Sequence, residues 1–553
     1  MSDVANPAAE EARTSPGVVD AVVVGAGLAG LYAHHRLRTL GLSIAGFEAA
    51  PEVGGTWFWN RYPGARCDVE SLDYSYSFSD ELLDEWRWSE RFATQPEILR
   101  YVSHAADRFD LRRDIAFDTR VIAAAYDDED GLWTVETDRG DTVRCRFLVA
   151  TVGCLSLPKA PEFAGLGDFE GRWVQTAAWP RDPVEIEGKR VAVIGVGSSG
   201  MQAIPVIAEQ AAHLTVFQRT ANFSAPANNG PVHSEHEASV RADYPGYRRR
   251  LKRTVGGLRQ PLNTGLSALE VSDEERLAHY EGAWGFACFS LQSVFRDIMS
   301  DPRANETAAE FVRRKIRQAV KDPEVAERLI PRGYPFGTKR LVFETGYHAT
   351  FNRPNVELVD VRATPIERIT AKGIRTTEKE YPFDLIVFAT GFDAVTGPLL
   401  AMNIRGVGGR TLKDAWRDGP LSYLGLAVAG FPNLFTVNGP GSPSVLTNMI
   451  AAIEQHVDWI ADCIGHMQAN GLQRIEASPE AQAAWADEVR HVASYTLFPQ
   501  ADSWYMGANV PGKPRVFLAY VAGLDVYADR CDEIARDGYA GFRLSSRRAR
   551  AIA

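Results

Sequence analysis

Two stretches of this chain read alike. At residues 21–30 the apolar run AVVV breaks into Gly25-x-Gly27-x-x-Gly30, and at 191–200 the run VAVI breaks into Gly195-x-Gly197-x-x-Gly200. A strand that ends in this spacing and opens a helix is a dinucleotide-binding turn. The first glycine turns the chain, the second lets the backbone approach a pyrophosphate, and the third lets helix pack on strand. One copy is weak evidence. Two copies, each in a strand–turn–helix–strand context, imply an α/β protein with two Rossmann-like, dinucleotide-binding domains and two nucleotide cofactors. Ser198 and Ser199 open the second helix, where free N–H groups favour phosphate.

The two units differ at one informative place. Glu48 follows Gly30 by 18 positions, and Gln218 follows Gly200 by the same 18, with Arg219 and Thr220 next. A carboxylate accepts hydrogen bonds from a ribose and repels a 2′-phosphate, whereas an arginine pairs with that phosphate. The first site is therefore expected to take FAD or NAD and the second NADPH. Arg219 also reads, more blandly, as a solvated strand-end charge.

At 553 residues the chain exceeds a single hydrophobic core, and a net charge of -11 argues against nucleic acid as a partner. The six cysteines form no CxxC pair, which disfavours a zinc site or a redox disulfide, and no metal site is expected. There is no signal-peptide pattern at the start and no apolar run of membrane-spanning length, so a cytoplasmic protein is expected. The layout reads as a tail (1–17), a first nucleotide domain (18–154 and 390–543), a second (155–225 and 332–389) carrying an α-helical insertion (226–331), and a basic tail (544–553).

Between these landmarks the sequence sets further expectations. Residues 54–68, with Gly54-Gly55-Thr56-Trp57 and Tyr62-Pro63-Gly64, read as an ordered loop without helix. Pro205 is expected to kink the helix 198–211 or to end its first turns. Charge runs in the insertion, such as Arg248 to Arg250, read as solvated helix faces. Lys339 and Arg340 are adjacent cations in an aromatic turn: a candidate anion site, or a surface pair. A helix over 445–464 follows the tight loop 438–443, and residues 500–515, around Trp504, read as a lid.

With these residues in hand, the chain resembles the single-component Baeyer–Villiger monooxygenases that use FAD and NADPH, nearest to phenylacetone and steroid monooxygenases, over roughly residues 18–542. The family fingerprint F-x-G-x-x-x-H-x-x-x-W-P is matched by Phe169, Gly171, Trp179 and Pro180, but Gln175 stands at the histidine. A second signature, G-G-x-W-x-x-x-x-Y-P-G-x-x-x-D, runs from Gly54 to Asp68. The resemblance implies that NADPH reduces FAD, that a C4a-peroxyflavin forms with O2, and that it converts a ketone into an ester or lactone. It further implies Arg340 as catalytic cation and Asp68 as its orienting partner. Lys339, Arg219 and Thr220 would share the 2′-phosphate. Gly55, Thr56, Trp57, Tyr74 and Val121 would line the FAD site, and Trp504 would cover the nicotinamide. Met449 and Leu446 would line the flavin–substrate cavity, with Met449 among the cofactor-binding residues, unless they are ordinary helix-core residues. The alternatives are an N- or S-oxygenating flavoenzyme, an NADPH oxidase, and a non-catalytic nucleotide-binding protein.

Overall fold

The computed structural model describes residues 17–259, 262–286 and 289–546; nearly all of the two expected tails, and Cys288, lie outside them. Val19–Val24 is a central strand of an eight-stranded sheet, parallel to Ile44–Phe47 on one side and Thr142–Ala150 on the other. Ala21 to Val24 are buried, as the unbroken apolar run requires of a parallel strand covered on both faces. Helix Leu28–Thr39 packs on this sheet and against the long helix Met449–Ala469, where Tyr32 and Arg36 donate to Asp458 at 2.6 and 2.7 Å.

The second turn lies in a separate five-stranded parallel sheet. Its order is Val356–Asp360, His213–Gln218, Arg190–Ile194, Leu385–Phe388, Arg172–Gln175. The chain leaves the first sheet after Ala150 and re-enters it with Ile404–Arg405 and Leu434–Thr436. The outgoing and returning segments cross antiparallel, with Lys159 donating its N–H to the Gly391 carbonyl and Asp393 to that of Leu157. The architecture is α/β with two Rossmann-type domains.

Helices Ser234–Ala242, Tyr244–Leu251, Asp273–Ala283, Pro302–Ala319 and Pro323–Leu329 fill the region between Ser224–Pro226 and Val342–Glu344, two strands that pair in parallel. In Pro302–Ala319 the buried Ala304, Ala308, Phe311, Val312 and Ile316 recur at helical spacing, and Asp301 caps the start. Among the described residues no helix is long and apolar enough to cross a membrane, and no cluster of His, Cys, Asp and Glu could hold a metal ion.

Four expectations change. Residues 54–68 contain one helical turn, Thr56–Trp59, because Gly54 and Gly55 at positive φ turn the chain into it. Pro205 does not end the helix, which runs on from Ser198 to Gln210; it is buried, so packing offsets the missing N–H. The helix expected over 445–464 is Met449–Ala469, delayed by a 3-10 turn at Ser444–Leu446 until Asn448 caps it, its side chain accepting from Ile450 N–H. The Arg248 to Arg250 run is not wholly solvated: Arg248 is buried and donates to the carbonyls of Asp73 and Ser75 at 2.6 Å each.

Candidate active site

Each glycine turn presents a bare helix start. Gly25 and Gly195 take φ of 104° and 105°, and a Cβ on Gly30 or Gly200 would lie 1.7 or 2.2 Å from the carbonyl of the first glycine. The helices beginning at Leu28 and Ser198 have no side-chain cap and no acidic residue in the first turn. Uncapped N–H groups with no carboxylate to repel an anion fit the pyrophosphate of a dinucleotide. Gly27 packs on Gly55, so the loop that carries Thr56 and Trp57 borders the first turn. Trp57 in turn donates its indole N–H to Tyr74 Oη at 3.1 Å. Glu48 is buried, which raises its pKa, and it accepts from the N–H groups of Ala26 and Ala50 at 2.6 and 2.8 Å. Its backbone carbonyl accepts from Thr119, two residues before Val121 opens the next strand. The donors of a ribose would find the remaining lone pairs of Glu48.

The Tyr-Pro-Gly of the second signature seats one unit on the other. Tyr62 donates to Gln202 Oε1 at 2.8 Å, and a Cβ on Gly64, at φ 80°, would lie 2.3 Å from the Gln202 carbonyl on the second unit's helix. Four residues further, Asp68 meets Arg340. Nε and Nη2 of Arg340 donate to the carboxylate at 2.7–3.0 Å, and Nη1 donates to the Val445 carbonyl at 2.7 Å. The Phe289 ring, in the insertion, lies 5.2 Å from the guanidinium. Two-point pairing fixes the plane of the guanidinium as a single contact would not.

Beside Arg340 lies an apolar cluster that joins Leu446, Met449 and Trp504 to Cys154, Val445 and Tyr505. Met449 and Leu446 are half-buried. Burial pushes the Cys154 thiol up to about 11, so this wall carries no thiolate. The 500–515 segment is tied to the crossover: Asn509 Nδ2 donates to the Phe392 carbonyl and Lys513 Nζ to Asp393, each at 2.7 Å.

On the far side of the Lys339-Arg340 turn, Lys339 stacks over Tyr334 at 4.7 Å. Its pKa is lowered by burial first and by Arg219 next. Arg219 is exposed at the end of His213–Gln218, while Gln218 turns away and donates to the Arg328 carbonyl. Arg362, which sequence reasoning did not single out, donates to Thr220 Oγ1 at 2.9 Å. Phe289 and the Val445 carbonyl were also unforeseen. All three are brought to the site by tertiary folding, and no local motif marks them.

Two dinucleotide-binding units with a fixed guanidinium and an apolar wall at their junction fit an enzyme that works with two nucleotide cofactors. The flavin-binding monooxygenase-like family matches residues 19–225. A Baeyer–Villiger monooxygenase of Pseudooceanicola batsensis is 44% identical, over 96% of this chain and 97% of its own length. Cyclohexanone 1,2-monooxygenase of an Acinetobacter species is 39% identical, over 96% and 97%. The solved structure of oxidized steroid monooxygenase bound to NADP superposes with a TM-score of 0.92 at 53% identity, covering 96% of this chain and 100% of that one. This chain belongs to the Baeyer–Villiger monooxygenases, enzymes that use FAD and NADPH.

Proposed function

We propose that the protein inserts one atom of O2 next to the carbonyl of a ketone, giving an ester or lactone, with Arg340 as catalytic cation and Asp68 as the residue that orients it. The observation that carries this assignment is the two-point Arg340–Asp68 pair, which joins residues 272 positions apart beside the apolar cluster. Bound FAD, reduced by NADPH, supplies the chemistry that activates O2. Arg340 holds the negative charge that this chemistry develops, and Met449, Leu446 and Trp504 keep water from screening it.

On this reading Gly25, Gly27, Gly30, Glu48, Gly55, Thr56, Trp57, Tyr74 and Val121 hold FAD. Gly195, Gly197, Ser198, Ser199, Gly200, Arg219, Thr220 and Lys339 hold NADPH. Residues 18–154 and 390–543 form the FAD domain, 155–225 and 332–389 the NADPH domain, and 226–331 the insertion. The scattered cysteines, with no disulfide-framework spacing, support a cytoplasmic location.

The test is a ketone panel scored for product, NADPH use and H2O2. Arg340→Ala is expected to lose ketone oxygenation by about a hundredfold or more, the scale for removing a key electrostatic stabiliser, while still binding FAD. Asp68→Ala is expected to fall between it and the wild type. Ester formation by Arg340→Ala at the wild-type rate would overturn the role, and ketone-independent NADPH use with stoichiometric H2O2 would favour an oxidase.

A further inference from the structure

We propose that Arg362 is a specificity-determining residue for NADPH, acting on the 2′-phosphate both directly and through the hydroxyl of Thr220. The proposal rests on the reading that Arg219, Thr220 and Lys339 face that phosphate. Arg362 is placed there by sheet register. Val356–Asp360 and His213–Gln218 run in parallel with Asp360 opposite Gln218, and Val361 N–H donates to the Gln218 carbonyl at 2.9 Å. Two residues beyond each strand end, Arg362 and Thr220 therefore emerge side by side, outside the carboxyl ends of the strands, where α/β sheets bind their ligands.

The hydrogen bond between them has a direction. Arg362 Nη2 donates to Thr220 Oγ1 at 2.9 Å. A guanidinium can only donate, so this bond takes a lone pair of the hydroxyl and leaves its proton to point elsewhere. A phosphate oxygen is the acceptor that a proton polarised in this way suits best.

Charge points the same way. Burial first, then Arg219 and last Arg362 depress the Lys339 ammonium, and the carboxylate that counters them at Lys339 is Asp502, which also pairs with Arg515 at 3.1 Å. Asp360, the acid nearest in sequence, turns Oδ1 back to the Arg362 backbone N–H at 2.9 Å. Lys339, with Arg219 and Arg362 near enough to depress it, is relieved by a dianion and gains nothing from the neutral 2′-hydroxyl of NADH.

Calorimetric titration of the FAD-loaded full chain with NADP+ and with NAD+ tests this. Arg362→Met is expected to raise the NADP+ dissociation constant about tenfold at low ionic strength, and less at high salt because the site is exposed. NAD+ binding should stay within about twofold of the wild type. Arg362→Lys, which keeps the charge and loses the planar fork, should fall between the two. Thr220→Val should weaken NADP+ binding in the wild type and weaken it less in Arg362→Met, because the two residues are coupled. Unchanged NADP+ binding in Arg362→Met, with Arg219→Met clearly weakened, would overturn the role of Arg362 alone. Equal losses for both nucleotides would overturn it too, by showing a structural effect. Unchanged NADP+ binding in Arg219→Met would remove the site assignment, and this proposal with it.

Discussion

At the scale of single residues, the role proposed for Lys339 couples proton binding to nucleotide binding. Burial first, then Arg219, hold its pKa below the ordinary 10.5. In the window between the lowered value and 10.5, the unfolded chain binds the extra proton. The charged form therefore costs folding stability, and that cost disappears as pH rises through the window. Nucleotide binding runs the other way. A 2′-phosphate favours the ammonium, so NADP+ binding should take up a proton and weaken as pH climbs through the same window. The phosphate itself is fully ionised well below it. The preference for NADP+ over NAD+ is thus expected to shrink as pH rises through the lowered Lys339 value toward 10.5, and Lys339→Met should show a smaller preference without that slope. A flat preference in the wild type would remove Lys339 from the phosphate site. The Lys339-Arg340 pair stands out in the sequence as two adjacent cations among aromatics. Arg362 does not, because its meaning lies in Thr220, 142 positions away.

At the scale of elements, both nucleotide units are legible because a glycine turn is a local arrangement: strand, tight turn, bare helix start. What crosses between elements is not. Gln175 shows the difference. In the sequence it is only a departure from a fingerprint. In the fold it ends the edge strand Arg172–Gln175, and Nε2 donates to the Lys159 carbonyl at 2.8 Å. Lys159 in turn donates its N–H to Gly391 and its Nζ to the Asn509 carbonyl. The position therefore braces the crossover and, through it, the 500–515 segment. Because Gln175 is half-buried, a freed carbonyl can find water, so Gln175→Ala should cost only about 0.5–1.5 kcal/mol. The larger expected effect is a rise in H2O2 per NADPH as the crossover loosens. Gln175→His can keep a donor to Lys159 and should add a pH-dependent term between about pH 5 and 8. Product and peroxide yields against pH for the three proteins check this, and unchanged yields in Gln175→Ala would make the position structural filler.

At the scale of the whole molecule, the helical insertion is bolted to the first unit through buried charge, which a reading of surface patterns misses. Helical periodicity separates apolar from polar faces, but it cannot tell which of three successive arginines is inside. Arg248 is the buried one. It donates to Asp73 and Ser75 of the segment after the second signature and lies 4.0 Å from Glu454 on Met449–Ala469. Glu454 is itself fully buried and also meets Lys252 at 3.2 Å. Asp73 accepts from Tyr247 of the same insertion helix and from the N–H of Arg259. Arg248→Met keeps most of the volume but leaves two buried carbonyls without their donor, while Glu454 keeps Lys252 and the N–H of Ser77. Leaving buried acceptors without their donor costs about 1–3 kcal/mol, whereas the exposed neighbour Arg249→Met should stay within about 0.5 kcal/mol of the wild type. The loss should also depend on pH. Burial raises Asp73 from 3.8 to about 6, so the folded chain holds a proton there that the unfolded chain releases, and stability contributed by this group falls as pH rises through that window. Arg248 is one of the groups that limit the rise, so without it the ionised Asp73 becomes costlier. Arg248→Met should therefore lose more stability at about pH 7.5 than at about pH 5. Thermal unfolding of the FAD-loaded protein at the two pH values, with Arg249→Met alongside, makes the comparison. If Arg248→Met and Arg249→Met unfold together at both, the insertion is held by its apolar contacts, and the buried charges contribute nothing to the bolt.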